Sequence, residues 1–580
     1  MWHESHQADI CVVGGGMSGL CAAVAAARHG ADVMLMHERP VLGGNASSEI
    51  RMHICGADNH GRHPFLRETG ILEELRLANL ARNPQMNYSI WDTLLHELAS
   101  FTPGLTPLLN CTCLDAEMDG QRIRSATGWQ LTTQTFHTVK AKLFLDCSGD
   151  GILAPLTGAE FRMGREGRDE YGESIAPERA DSKTMGMTCV FAARQYDTPQ
   201  PFTPPPWANE YPSDDDLPYG GRDHKGFEMG YWWIELGGED HSIRDTERLR
   251  DELLKIVFGV WDHIKNHGDH GAENWALDWV EFLPGKRESR RFIGDHVLAQ
   301  NDVEAGGKFP DIIAYGGWPM DDHHPAGFRA AKLGYPATIF HRAPAPYGIP
   351  YRCLYSHNID NLLFAGRNIS CTHSAMSSTR VMGTCAALGQ AAGTAAALAV
   401  CHGALPRDVG DRIDDLQQML LRDDCYLPGI AQRFEPLTMT VELTASQGDP
   451  EPLRDGMNRP VGDDAHAWPC NIGDWVAYTF PEARHVREAT LIVDSAMDKD
   501  IFFSRYGNFG QLTAPPAVLP NAFRLEGLQD GEWKTLHQVT DNHQRLVRLP
   551  VHETLEAMRF TLDGTWGNET SWLYAFYLEE

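Results

Sequence analysis

Three patterns in this 580-residue chain have the residue types and spacing for chemistry. The first binds an anion. Gly14-Gly-Gly16-Met-Ser18-Gly19 matches G-x-G-x-x-G, lies between an apolar run and an alanine-rich stretch, and is followed by an acid, Glu38. Gly14 permits a tight turn, Gly16 lets backbone approach a pyrophosphate, and Gly19 lets the helix opened near Ser18 pack closely on a sheet. The helix N-terminus adds unpaired N–H groups and partial positive charge. Glu38 accepts hydrogen bonds from an adenosine ribose and repels a 2′-phosphate. The second pattern moves protons. Asp321-Asp322-His323-His324 follows a Gly-Gly-Trp turn, and neighbouring residues there can pair a carboxylate with an imidazole, Asp322 orienting His324 as base. A solvated acidic loop is the alternative. Lys286-Arg-Glu-Ser-Arg-Arg291 sets four cations in six residues, a clamp for an anion or sugar hydroxyls if Arg290 or Arg291 points inward, or else a salt-bridged strand edge.

Other chemistries find less support. No Cys-x-x-Cys occurs among thirteen cysteines, so an iron–sulfur cluster, zinc ribbon or dithiol centre has no basis, and the cysteines read as reduced, mostly buried thiols. His263 and His267 stand at helical i, i+4 with His270 beyond, but no third-ligand pattern accompanies them, and His60 and His63 are equally isolated. No metal is expected. A serine-hydrolase elbow, G-x-S-x-G between strand and helix, is absent. Fifty basic against 79 acidic residues give a net charge of −29, the wrong sign for nucleic acid or an anionic membrane surface. The longest apolar candidate, Cys385 to Val400, is broken by glycine and glutamine, and Met1 to Gln7 resembles no secretory leader, so the expectation is a cytoplasmic protein.

The elements needed to position these residues are legible. Ala8–Val13 reads as a buried parallel strand, Ser18–Arg28 as a helix closed by Gly30, and Asp32–His37 as a second strand, together a βαβ unit. Lys142–Asp146 and Asn361–Ala365 are two more such strands, each entering a glycine turn, Cys147–Gly151 and Gly366–Asn368. The roughly 200 residues between them are enough for an inserted domain, with a proline-rich, acidic excursion at 199–216 and a helix over Thr246–Asn266. From about Leu437, alternation at Val476, Tyr478 and Phe480, at Ala489, Leu491 and Val493, at Met558, Phe560 and Leu562, and at Trp572, Tyr574 and Phe576 marks an antiparallel β-domain. Trp468, Trp475, Trp566 and Trp572 can stack on a sugar face or fill that domain's core, and core filling or docking is the favoured reading. The expected fold is α/β. A Rossmann-like dinucleotide domain (1–155 and 345–430) carries an inserted α+β cap (156–344), and a β-sandwich (437–580) follows.

Arg39-Pro-Val-Leu-Gly43-Gly44 resembles the two-dinucleotide-binding-domain flavoproteins, and Asn361-Leu-Leu-Phe-Ala-Gly366-Arg367-Asn368 is similar to the strand and turn that carry the ribityl–phosphate end of FAD in them. The chain is more closely similar to bacterial FAD-dependent oxidoreductases of the FAD_oxidored type over about residues 8–430. Gly43–Arg51, Leu283–Arg291, Tyr315–Trp318 and Ile369–His373 carry that likeness. It implies FAD held by Gly14, Gly16, Ser18, Gly19, Glu38, Arg39, Gly43, Gly44, Asn45, Cys113, Gly149, Gly366, Arg367, Asn368 and Arg380. It also puts the helix near Thr379–Gly393 at the flavin pyrimidine edge, where Arg380 would stabilise reduced flavin. His373, just after a flavin-facing turn, becomes the first candidate base, with a histidine that holds Arg380 or a backbone carbonyl as the alternative. His53 and Cys55, on a strip shared with Glu49 and Arg51, are candidates for a covalent flavin link, non-covalent FAD being preferred. The C-terminal pieces loosely resemble a discoidin or galactose-binding sandwich. The expected activity is hydride transfer from a sugar or glycoside carbon to flavin N5, assisted by His373, or His324 with Asp322, with Arg291 as clamp and an unidentified electron acceptor. The alternatives are redox-neutral glycoside cleavage by transient oxidation and elimination, and a carbohydrate-binding protein with structural FAD.

Overall fold

The computed structural model describes residues 1–217, 224, 231–501, 503 and 510–580. Strand β1 (Trp2–Val13) is exposed at first and buried from Ile10 on, where Ile, Cys, Val and Val succeed one another. A strand covered on both faces needs such a continuous apolar run. Helix α1 (Met17–Arg28) follows the glycine turn, and β2 (Val33–Met36) pairs parallel with β1, Ile10 against Val33 and Val13 against Met36. Helices α2 (Ile71–Arg82) and α3 (Tyr88–Phe101) lead to β3 (Leu105–Leu108). The meander β4 (Cys111–Asp119), β5 (Arg122–Gln130) and β6 (Thr135–Asp146) follows. The sheet order is β3-β2-β1-β6-β5-β4. The sequence run Ala8–Val13 is therefore only half of β1, whose polar half, Trp2 to Ala8, pairs with Thr135 to Ala141 of β6.

The lobe over this sheet has its own core. Helix α4 (Thr246–Asn266) turns Leu249, Leu253, Ile256, Val257, Val260, Trp261 and Ile264 inward, as the 3.6-residue period requires. They meet Phe191, Tyr231 and Trp233 rather than the apolar core of the sheet domain. Short antiparallel pairs complete the α+β lobe, among them β7 (Met320–His323) with Thr338–His341.

The chain rejoins the sheet as β8 (Leu362–Phe364), parallel to the end of β6. Helix α5 (His373–Thr379) is capped by the Thr372 hydroxyl, which accepts from the Ala375 N–H. Helix α6 (Met382–His402) is long and apolar enough to cross a membrane, yet 83% of its apolar window is buried inside the protein. It lies against α1, where a Cβ on Gly389 would stand 2.0 Å from the Ser18 carbonyl oxygen and one on Gly393 2.0 Å from that of Ala22. Only glycine lets these two backbones touch.

The C-terminal region is an antiparallel β-sandwich built on β9 (Trp475–Val493), β10 (Leu546–Thr565) and β11 (Thr570–Glu579). Register breaks between Thr479 and Arg484 and between Val486 and Glu488 bend the long strands. Another irregularity, where Ile492 pairs with Ala575 and Val493 with Leu573, disturbs the expected alternation at the chain end. Trp572 is consequently exposed, Tyr574 packs toward Ile492 and Phe434, and Phe576 enters the core. Trp468 fills that core and donates to the Gln447 carbonyl at 2.8 Å, whereas Trp566 stays partly exposed. Three buried arginines tie the sandwich to the rest. Arg67 pairs with Glu73 and donates to the Ser495 and Ala496 carbonyls. Arg459 donates to the Phe65 and Arg67 carbonyls, and Arg545 reaches Asp424 at 2.9 Å.

Candidate functional site

A cavity of about 1240 Å³ opens where the C-terminal ends of β1, β2 and β6 face the inserted lobe. That exceeds the roughly 300–1,000 Å³ of a typical small-ligand cleft. Of the expected cofactor residues, Gly14, Gly16, Ser18, Glu38, Arg39, Gly43, Gly44, Asn45, Cys113, Gly149, Gly366, Arg367 and Arg380 line it. Gly16 and Gly44 nearly touch, since a Cβ on Gly44 would be 3.1 Å from Gly16 Cα, so two turns form one floor of bare backbone. Gly16 also caps α1 without any side-chain bond, leaving the first-turn N–H groups to an incoming anion. Two residues in the set sit elsewhere. Gly19 packs α1 onto the turn, its Cα so close to the Gly14 carbonyl that a Cβ would clash at 1.8 Å. Asn368 is fully buried and donates to Asp146 Oδ1 at 3.1 Å, which fixes the β6–β8 junction.

The cations divide by function. Arg39 pairs with Glu49 at 2.7 Å. Arg367 and Lys286 both hold Asp150, at 2.7 and 2.6 Å. Burial opposes ionisation of Asp150, but those two cations bring it down to about 2. Arg287 and Arg290 also line the cavity. The N-terminus of α6, with Arg380, Val381 and Met382, forms another part of the wall. Buried Nε atoms of Arg367 and Arg380 have no hydrogen-bond partner.

The expected catalytic set is corrected by the structure. Arg291 is no clamp on a ligand. It is fully buried beneath the wall, paired with Glu288 and, at 2.8 Å, with Glu166, while Arg290, the other residue offered as a clamp, lines the cavity together with Arg287. His373 sits in the first turn of α5 with Nδ1 2.9 Å from Glu288 and Nε2 3.1 Å from Asp322, and it does not line the cavity. Burial pushes this imidazole down, but the two carboxylates prevail and raise it to about 10, so it is an imidazolium at neutral pH rather than a base. Asp322 is thereby occupied with His373, and His324 stacks on Tyr335 away from the cavity. The alternative expectation, a histidine holding Arg380 or a backbone carbonyl, also differs, since both ring nitrogens meet carboxylates.

The side chains that β7 does present are Asp321 and His323. Successive residues on a strand face opposite ways, so the pair Asp322/His324 and the pair Asp321/His323 exchange places with one step of register. His323 Nδ1 lies 2.7 Å from Glu235 Oε2, and Nε2 lies 3.3 Å from Asp321 Oδ2. Burial opposes ionisation of Asp321, but His323, Arg380 and Arg287 overcome it and hold the carboxyl well below its ordinary value. Trp232, Trp318, His53 and His60 complete this side. Burial raises the Cys55 thiol, so it is not held as a thiolate, and burial lowers His53 to about 3, so its imidazole stays neutral. In the sequence His323 is only one residue of an acidic–histidine run. Strand alternation downstream of Trp318 was the signal available for it.

The bare-backbone floor, the uncapped helix, Glu38 at the end of β2 and the cations opposite fit an extended dinucleotide ending under the lobe. Fold and cavity together define an FAD-dependent oxidoreductase. The chain belongs to the FAD dependent oxidoreductase family, whose model matches residues 9–420. No curated protein matches it. Among solved structures it is similar to a geranylgeranyl bacteriochlorophyll reductase-like protein from Thermoplasma acidophilum, at 14% identity and TM-score 0.33, covering 72% of this chain and 86% of that one. The family 32 carbohydrate-binding module of Streptococcus pneumoniae EndoD is similar at 14% identity and TM-score 0.19, covering 25% of this chain and 99% of the module. The family 32 module of Clostridium perfringens NanJ, solved with galactose, is similar at 10% identity and TM-score 0.18, over 24% and 95%.

Proposed function

We propose that this oxidoreductase oxidises a hydroxyl-bearing carbon of a small polyhydroxylated molecule, a sugar or glycoside. One observation carries the reading. On the lobe side of the cavity, Asp321 Oδ1, Trp318 Nε1 and Arg380 Nε are buried without hydrogen-bond partners. One acceptor and two donors suit hydroxyl groups, which both give and take hydrogen bonds. The indoles of Trp232 and Trp318 suit the C–H face of a sugar ring.

Bound FAD supplies a two-electron acceptor for the hydride that leaves the substrate carbon. The chain manages the proton. The Glu235 carboxylate can only accept, so His323 gives it the Nδ1 hydrogen, and His323 Nε2 faces a second acceptor, Asp321 Oδ2, at 3.3 Å, so that Asp321 and His323 act as one hydrogen-bonded pair at the cavity. The pair takes the hydroxyl proton through Asp321 Oδ1, which has no other partner, while His323 Nε2 at 3.3 Å holds the carboxylate and Glu235 keeps the ring oriented. Arg287 and Arg380 hold the site's negative charge.

The test is anaerobic mixing of holoprotein with sugars and glycosides, and with amino acids and 2-hydroxy acids as competing classes, followed by loss of the oxidised-flavin band. A sugar or glycoside is expected to bleach it, and His323→Gln should slow the bleaching by about 10²–10⁴-fold with FAD content unchanged. Bleaching by amines or acids alone, or undiminished rates in His323→Gln, would overturn the proposal.

A further inference from the structure

We propose that Asp214, His224, His263 and His270 bind one zinc ion at the end of α4 in the inserted lobe. Their ligand atoms all lie within 4.8 Å of one another. None of the four lines the FAD cavity. The i, i+4 spacing pointed to His263 with His267, but the fold pairs differently. His267 turns to Asp262 at 3.2 Å. Gly268, at φ +123°, then reverses the chain and brings His270 back over the helix end. Asp214 arrives from the excursion before the helix, and His224 stands beside it. Three imidazoles converge with ring centroids 4.7, 4.7 and 4.8 Å apart.

Hydrogen bonding alone satisfies His263 poorly. His263 is fully buried, and its Nδ1 is 2.7 Å from the Tyr211 carbonyl oxygen, an acceptor, so Nδ1 carries the hydrogen. Its Nε2 is 3.0 Å from Asp214 Oδ1, a second acceptor. Bonding both would require a buried imidazolium. A metal resolves this, because the neutral ring gives Nδ1–H to the carbonyl and the Nε2 lone pair to the ion, the usual outer support of a ligating histidine. The same Oδ1 faces His224 Nε2 at 3.5 Å and His270 Nε2 at 3.9 Å. Tetrahedral zinc with bonds of about 2.0–2.1 Å needs ligand atoms about 3.3 Å apart, so these separations require only small side-chain rotations. His270 Nε2 also lies 3.3 Å from the His267 carbonyl oxygen, a long bond that a metal would replace. Three nitrogens and one carboxylate oxygen close a tetrahedral shell, which is the mark of a structural site. Such an ion would fasten the excursion to the end of α4.

The test uses tag-free holoprotein, as purified and after incubation with zinc and desalting. One zinc per chain is expected, with a first shell of four nitrogen or oxygen atoms at about 2.0–2.1 Å by X-ray absorption. His224→Gln and His270→Gln should lower bound zinc about tenfold or more. Asp214→Asn alters a side chain that is 66% exposed, so it should fold normally and also weaken binding. His267→Gln should keep the metal. The absence of stoichiometric zinc from the wild-type protein under both conditions, a sulfur-containing first shell, or wild-type zinc content in both histidine variants would overturn the assignment. FAD content, read on the same samples, reports separately on the other site.

Discussion

His373→Gln separates a structural histidine from a catalytic one. In the folded protein Glu288 and Asp322 grip the ring at 2.9 and 3.1 Å and raise it from 6.5 to about 10. The folded state therefore holds this proton more tightly than the unfolded chain does. The stabilisation is complete below pH 6.5 and is lost as pH rises through about 10. Each pH unit within that window removes at most about 1.4 kcal/mol, so the whole effect is on the order of 4–5 kcal/mol or less. Glutamine preserves bulk and a donor but cannot titrate. Thermal midpoints of wild-type and His373→Gln holoprotein, measured at each pH from 6 to 10, should differ most at pH 6 and converge toward pH 10. A difference that stays constant across the range would refute the reasoning. So would a variant of undiminished stability whose flavin reduction falls a hundredfold, because His373 would then be the proton acceptor.

Gly389→Val would drive a Cβ to 2.0 Å from the Ser18 carbonyl and part α1 from α6. The cost should be about 1–3 kcal/mol or more, with loss of bound FAD, and a normal flavin content would contradict it. Burial raises Glu68 to about 7, despite Arg76, so the stability it confers when protonated is lost as pH climbs through 7. Glu68→Gln should match wild type at pH 4.5 and exceed it at pH 8 by up to about 3 kcal/mol, which pH-dependent unfolding would show. Arg545→Ala strands the buried Asp424 carboxylate and should cost about 3–5 kcal/mol, with limited proteolysis releasing the C-terminal sandwich first.

Much of the frame was legible because local patterns decide it. The β1 run, the glycine turn and α1 lie in one stretch of sequence, and the bounds of α4 follow from its apolar period. The polar half of β1 was not legible, since its pairing with β6 depends on residues more than a hundred positions away. The alternation at Trp572, Tyr574 and Phe576 failed where an irregular pairing opposite Ile492 and Val493 shifts the register.

Residue order alone determined a backbone anion cradle at Gly14–Gly19, an acid at the end of the next strand, a second glycine turn at Gly366 and a separate β-domain. Each depends on chain conformation within a few residues. Tertiary structure decided which polar side chains meet. It turned Asp321 and His323 to the cavity and Asp322 to His373, buried Arg291 against Glu166 and Glu288, and gathered His224 to His263 and His270. Adjacent strand positions face opposite ways, and a charge withdrawn from water must find its partner wherever the fold provides one; neither outcome can be read from spacing along the chain.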